Sequence, residues 1–158
     1  SWIYEMEGMG FNYRITDFQA ALGLSQLKKL DRFKARRREI VNYYNDCFSD
    51  IDELILPYED RNTESNFHLY ILQVKKNPKF DRYGLFIFLQ SINYAPMVHY
   101  IPVHLLKYYR ERFGFKIGDY PIAERFYEQA VSIPLYPSLT DTEVEKVVND
   151  IKFFIESK

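Results

Sequence analysis

A chain of 158 residues with a formal net charge of -1, 47% hydrophobic and 27% charged, has the make-up of one folded domain, able to bury about two thirds of the surface its unfolded form exposes. The near-neutral charge excludes broad binding to nucleic acid or anionic membrane, and no run approaches the roughly 20 apolar residues of a membrane span. A single cysteine, Cys47, has no partner for an internal disulfide and points to a reducing cytoplasm. Ser1 to Gly10 carries Trp2, Ile3, Tyr4, Met6 and Met9 in no amphipathic period and reads as a connector against a neighbouring surface. The start Ser-Trp-Ile-Tyr, without an initiator methionine, favours a piece of a longer protein. Thr16 and Gln19 have the spacing of a capping box, with Asp17 in the first turn, so a helix is predicted from Thr16. Along it Phe18, Ala21 and Leu22, and on the adjoining strip Ala20, Leu24 and Leu27, recur three and four apart. Asp31 to Ser49 continues helical, either as a second helix or as the rest of one kinked rod. Phe33, Ile40, Tyr44 and Cys47 or Phe48 face inward there, with Lys34, Arg36, Arg37 and Arg38 on the wet side.

Residues 53–64 read as loop with a short strand at Leu54 to Leu56, and Phe67 to Val74 as a strand. Asp81 to Ser91 is predicted helical, weakened by Gly84. Pro96 to Tyr100 reads as a second strand, ended by Pro102, which has no amide to donate. His104 to Phe113 is a short helix stopped by Gly114. Asp119 and Pro121 open another helix, with Ile122, Ala123, Phe126, Tyr127 and Ala130 on one face. Val131 to Ile133 is a brief strand. Thr140 and Glu143 repeat the capping box before a helix whose Val144, Val147, Val148, Ile151, Phe154 and Ile155 keep a 3.6 period. The alternation predicts an α+β domain, with about three strands flanked by helices and covered on one side.

Several residues invite a chemical reading. Asn12 supplies a turn or, with the guanidinium of Arg14 beside a helix start, an anion-binding corner. Zinc is not expected: His99 and His104 are five apart across a proline, His68 stands alone on a strand as a hydrogen-bonded structural residue, and no carboxylate or cysteine sits at a ligand interval. His99 and Tyr100, at a strand's end before a proline, can face a cleft, while His104 is a candidate cap for the following helix. Tyr108, Tyr109, Arg110 and Arg112 read as mixed faces of a short helix, and Lys34 to Arg38 as a solvated face balanced by Asp31 and Glu39. The excess of aromatics, 14 Tyr and 13 Phe, suits an interface or a ligand wall.

The stretch Gly-Phe-Asn-Tyr-Arg-Ile-Thr-Asp-Phe-Gln-Ala-Ala-Leu-Gly-Leu-Ser-Gln-Leu-Lys-Lys-Leu-Asp, ending at Asp31, resembles a signature of the pyridoxal-phosphate sugar aminotransferases of the DegT/DnrJ/EryC1/StrS family. The likeness returns at Asn66-Phe-His-Leu-Tyr, at Val98-His-Tyr-Ile-Pro-Val-His104 and at Ala123-Glu-Arg-Phe-Tyr-Glu-Gln-Ala-Val-Ser-Ile-Pro-Leu-Tyr-Pro137. It matches the family's C-terminal part. The resemblance implies the small domain of a fold-type I aminotransferase, with 1–14 as connector and active-site loop from the large domain and 15–158 as the small domain. It implies that Asn12 reaches across a homodimer to the phosphate of the partner's cofactor, with Arg14 ordering the loop or meeting an acidic substrate group, and that His99 and Tyr100 contact substrate. It further implies amino transfer from glutamate to a nucleotide-linked 4-keto-6-deoxy sugar in surface or spore-coat polysaccharide, closest to the branch acting on UDP-linked hexosamines. The Schiff-base lysine and the carboxylate facing the pyridine nitrogen lie upstream in that family, so no catalytic residue is expected here and the chain alone is expected to be inactive. The reading from a different class is a free-standing α+β module that binds a partner protein or nucleotide through its aromatic face.

Overall fold

The computed structural model describes residues 5–11 and 13–158, so Asn12 and Trp2 lie outside the described residues. The elements are α1 (Asp17–Leu27), α2 (Leu30–Phe48), β1 (Leu54–Ile55), β2 (Tyr70–Val74), α3 (Arg82–Ser91), a 3-10 turn (Val103–Leu105), α4 (Lys107–Phe113), α5 (Pro121–Gln129), β3 (Ala130–Ile133) and α6 (Asp141–Glu156). The chain divides into two compact units, Ser1–Arg32 and Phe33–Lys158. The α+β class and three-stranded sheet agree with the sequence reading.

In the first unit the predicted capping box is present. The Gln19 amide donates to Thr16 Oγ1 at 3.4 Å and the Thr16 amide donates to Gln19 Oε1 at 2.8 Å, which satisfies two of the amides a helix start leaves open. The apolar strip of α1, however, is not buried: no residue of the helix is, and Phe18 is 90% exposed. Of the two forms open for 17–48, the structure takes two helices, separated at Lys28 and Lys29.

The second unit holds its own core, which is what a segment needs to fold by itself. Its sheet is antiparallel in the order β1-β2-β3, with Leu54 opposite Val74 and with Tyr70, Ile71, Leu72 and Gln73 opposite Ile133, Ser132, Val131 and Ala130. Alternation along the strands sends Tyr70, Leu72, Val74, Val131 and Ile133 into the core with Ile40, Tyr44 and Phe48 of α2, Leu85 and Leu89 of α3, and Val147, Ile151 and Phe154 of α6. Each such side chain contributes about 1.5–3 kcal/mol of burial. Tyr44 meets Tyr70 edge-on at 5.0 Å and donates its hydroxyl to the Pro134 carbonyl at 2.9 Å, while Tyr70 donates to Asn45 at 2.8 Å. Gly84, read as a weakness of α3, lies beside Phe154: a Cβ there would meet the ring at 3.4 Å, an ordinary contact.

Other expectations need correcting. Pro96 to Tyr100 forms no strand; two prolines without amides bracket it, and it makes one antiparallel bridge, Met97 to Ser132. His68 is not a bonded strand residue. Phe67 takes a φ of 43°, which turns the chain so that the strand begins at Tyr70, and His68 is exposed without a partner among the described residues. The basic run on α2 is not simply solvated: Arg36 ties α2 to α6 through Asp141 at 2.6 Å and the Leu139 carbonyl at 2.7 Å, and Arg38 makes a two-pronged bond to Glu59 at 2.9 and 3.1 Å. The sheet is not covered on one side alone, since α5 packs on β2 and all four residues of β3 are buried.

Candidate functional site

Register decides what lies opposite the core. Val131 and Ile133 face the core, so Ala130 and Ser132 face the other way, Ser132 directly across from Ile71. The Met97 bridge, in which the Ser132 amide donates to the Met97 carbonyl at 2.7 Å and the Met97 amide donates to the Ser132 carbonyl at 3.3 Å, lays residues 96–100 along this edge. As a result His99 Nδ1 sits 2.7 Å from Ser132 Oγ. The His99 ring stands edge-on to Tyr100, centroids 4.7 Å apart at 88°, and the peptide between them is cis.

Beyond Tyr100 opens an apolar cleft of about 630 Å³, walled by Tyr100 and Pro102 on one side and by Tyr120, Pro121, Ile122 and Phe126 on the other. That size and lining suit a ligand of small-molecule dimensions. Ile122, Ala123 and Phe126, which share a face of α5, line this opening, with Ile122 77% exposed.

Both walls are joined by one hydrogen-bonded side-chain pair. His104 is 7% exposed and its Nε2 lies 2.8 Å from Glu124 Oε1, so it does not cap α4, whose first turn starts at Leu106 without a side-chain cap. Glu124 also accepts the Gly118 amide at 2.9 and 2.8 Å and the Tyr120 amide at 3.3 Å. Gly118 presents its amide from a φ of 97°, a conformation that favours glycine. His104 first, and these amides after it, hold the Glu124 carboxyl below its usual range. The 3-10 turn, the loop before α5 and α5 itself are thereby fixed together, and the Tyr120 ring lies 4.7 Å from the His104 ring, tilted by 56°. The cleft of about 310 Å³ at Arg36, Glu39 and Asp141 is a weaker candidate, because these charges already pair with one another.

The structure places His99 against Ser132 and Tyr100 at the cleft with Tyr120 and Phe126, with Glu124 behind the wall. In the other unit Arg14 is exposed and engages no described residue, leaving its guanidinium available to an anion; the Asn12 assignment lies outside the described residues. No lysine is buried. Lys34, Lys107 and Lys146 pair with Glu64, Glu111 and Asp150, and Lys75 donates to the Asp52 carbonyl. Among the described residues no cluster of three or more His, Cys, Asp or Glu is arranged to hold a metal, and no helix is long and apolar enough to cross a membrane.

Comparison with known proteins gives this geometry a context. Over 158 residues the chain is 39% identical to the spore coat polysaccharide biosynthesis protein SpsC of Bacillus subtilis, covering 99% of this chain and 41% of that protein. The structure matches Spr1654 of Streptococcus pneumoniae in its PLP form with a TM-score of 0.86 and 32% identity, covering 99% of this chain and 40% of the other. It matches the aminotransferase TlmJ of Streptoalloteichus hindustanus with a TM-score of 0.84 and 27% identity, covering 99% and 41%. The chain thus spans well under half the length of the proteins it matches. Residues 2–152 fit the model of the DegT/DnrJ/EryC1/StrS aminotransferase family, and with relatives of this kind along nearly its whole length the chain belongs to that family.

Proposed function

We propose that this chain is the C-terminal small domain of a pyridoxal-phosphate transaminase that moves an amino group from glutamate to a nucleotide-linked 4-keto-6-deoxy sugar, in the cytoplasm, for surface or spore-coat polysaccharide. Residues 1–14 are its connector and 15–158 the small domain. The observation that carries this reading is the family match over residues 2–152, supported by a relative solved in a PLP form and by the Tyr100 cleft, sized for a small ligand.

The chain's own groups suit one end of such a cofactor. Asn12 offers an amide near the start of α1 that reaches across a homodimer to the cofactor phosphate in the partner subunit's site, with the Arg14 guanidinium two residues on ordering the loop or meeting an acidic substrate group. For the reactive end, every lysine of this chain is exposed or half-buried, and the family resemblance puts the Schiff-base lysine upstream of these residues. When bound, the cofactor supplies the electron sink for amino transfer; this chain contributes binding and orientation. His99 and Tyr100 hold the sugar, the apolar walls at Pro102, Ile122 and Phe126 exclude water from it, and the His104 and Glu124 pair keeps those walls apart at a fixed width.

The test is made on the full-length protein. Asn12→Ala is expected to weaken coenzyme affinity at least about tenfold, as loss of a hydrogen bond to a charged group does, while the 158-residue chain alone shows no transamination. Unchanged coenzyme affinity in that variant would remove the role given to Asn12, and turnover by the chain alone would refute the division of labour.

A further inference from the structure

Ser132 is 6% exposed, and among the described residues its hydroxyl has one partner, His99 Nδ1 at 2.7 Å. That short contact admits two arrangements of hydrogen. If Nδ1 carries the hydrogen and donates, the hydroxyl hydrogen turns into a buried region with no acceptor, a penalty that biases the equilibrium about tenfold or more. If the hydroxyl donates to Nδ1, every buried polar hydrogen is used and the ring hydrogen moves to Nε2. His99 is half-buried, its Nε2 has no partner among the described residues, and the edge-on contact with Tyr100 sets the plane of the ring beside the cleft.

We propose that Ser132 is a positioning residue that locks His99 in the Nε2–H tautomer, so that the imidazole presents a hydrogen-bond donor to an oxygen acceptor of the ligand: a carbonyl, hydroxyl or phosphate oxygen. A neutral donor of this kind binds and orients; it neither takes nor gives a proton. The tautomer stands independently of the aminotransferase reading, and only the identity of the acceptor, an oxygen of the sugar nucleotide, rests on it.

Ser132 also explains how its own placement is secured. It bridges Met97 through its backbone, so the strand that carries the hydroxyl is the same strand that holds the segment carrying the ring. Small errors in β3 register would move both partners together.

The first measurement is nitrogen NMR of the 158-residue chain with labelled histidine, whose three histidines are assigned by the loss of one set of signals in His99→Gln. At neutral pH the Nδ1 of His99 is expected to resonate as a pyridine-type nitrogen and Nε2 as a pyrrole-type nitrogen, and Ser132→Ala is expected to return the ring toward a mixture. A pyrrole-type Nδ1 in the unaltered chain overturns the proposal and requires no variant to fold. The second uses the full-length protein. Ser132→Ala is expected to raise KM for the sugar nucleotide about tenfold with kcat within about twofold, the pattern of an interaction equal in ground and transition states. Ser132→Thr, which keeps the hydroxyl, is expected to restore KM. Ser132→Ala with unchanged KM, where His99→Gln raises it, overturns the positioning role while leaving the aminotransferase reading intact. A full-length protein that transfers no amino group to any sugar nucleotide overturns that reading instead, and the NMR result still decides the tautomer.

Discussion

Helices α1 and α6 begin alike and end up differently. Each opens with a threonine-led capping box, Thr16 with Gln19 and Thr140 with Glu143, and each repeats apolar residues at helical spacing. Yet α6 buries Val144, Val147, Val148, Ile151 and Phe154, whereas α1 buries nothing and leaves Phe18, Leu22, Leu24 and Leu27 open. Caps are local, made by a side chain and an amide three residues apart, so both form wherever the sequence writes them. Burial is not local: it requires a facing surface, which α6 finds in α3 and the core and α1 does not find among the described residues. An apolar periodicity therefore reports that a helix has an apolar face, not what covers it.

The sharpest way to break this comparison is to truncate one side chain on each helix. Ile151→Ala is expected to lower the unfolding free energy of the 158-residue chain by about 2–5 kcal/mol, through lost burial and a residual cavity. Leu22→Ala is expected to change it by no more than about 0.5 kcal/mol. Equal losses in urea titrations would mean that the α1 strip is packed after all. Next in size are the caps: Thr140→Ala is expected to cost about 1 kcal/mol of global stability. Thr16→Ala, on a helix that buries nothing, is expected only to speed hydrogen exchange at residues 17–20.

A smaller and more local effect concerns the cleft. Glu124→Gln removes the charge that His104 and the Gly118 and Tyr120 amides share. Faster exchange at those two amides with little change in the global midpoint is expected; unchanged exchange would show that the walls are held by packing alone. The smallest effect is electrostatic. The Arg38 guanidinium first, and the Ser65 amide after it, lower the Glu59 carboxyl to about 2, below the roughly 4.3 of an unfolded glutamate. A lowered folded-state value means the contribution is complete above the unfolded value and is lost as pH falls toward 2. Thermal midpoints of the unaltered chain should therefore fall more steeply between about pH 5 and pH 2 than those of Glu59→Gln. Parallel slopes would show that the pair contributes nothing to stability.

Much of this was legible in the residues. The caps, the αL glycine at Gly114 and the period of α6 depend on neighbours a few positions apart, and all appear where the pattern puts them. The errors share the opposite property. Residues 96–100 read as a strand, but pairing is a property of two segments, and the prolines left room for one bridge. His104 reads as a cap because it stands at the start of the predicted helix 104–113, while its partner Glu124 lies twenty positions on. Ser132 was passed over because a serine between Val131 and Ile133 looks like strand filling. The usable signal was parity: neighbours that both face a core put the residue between them on the opposite face, where a hydroxyl needs a partner. For Asn12 and Arg14 the residues alone favour a turn and a surface charge over an anion site, and the phosphate role comes from family resemblance.

The central claim is that this chain orients ligand and cofactor while owning no reactive lysine. It is tested most directly by adding pyridoxal phosphate to the full-length protein, reducing with borohydride and locating the modified lysine by peptide mass spectrometry. The account predicts a single modified lysine outside these 158 residues. A stoichiometric label on any lysine between Lys28 and Lys158 would contradict it.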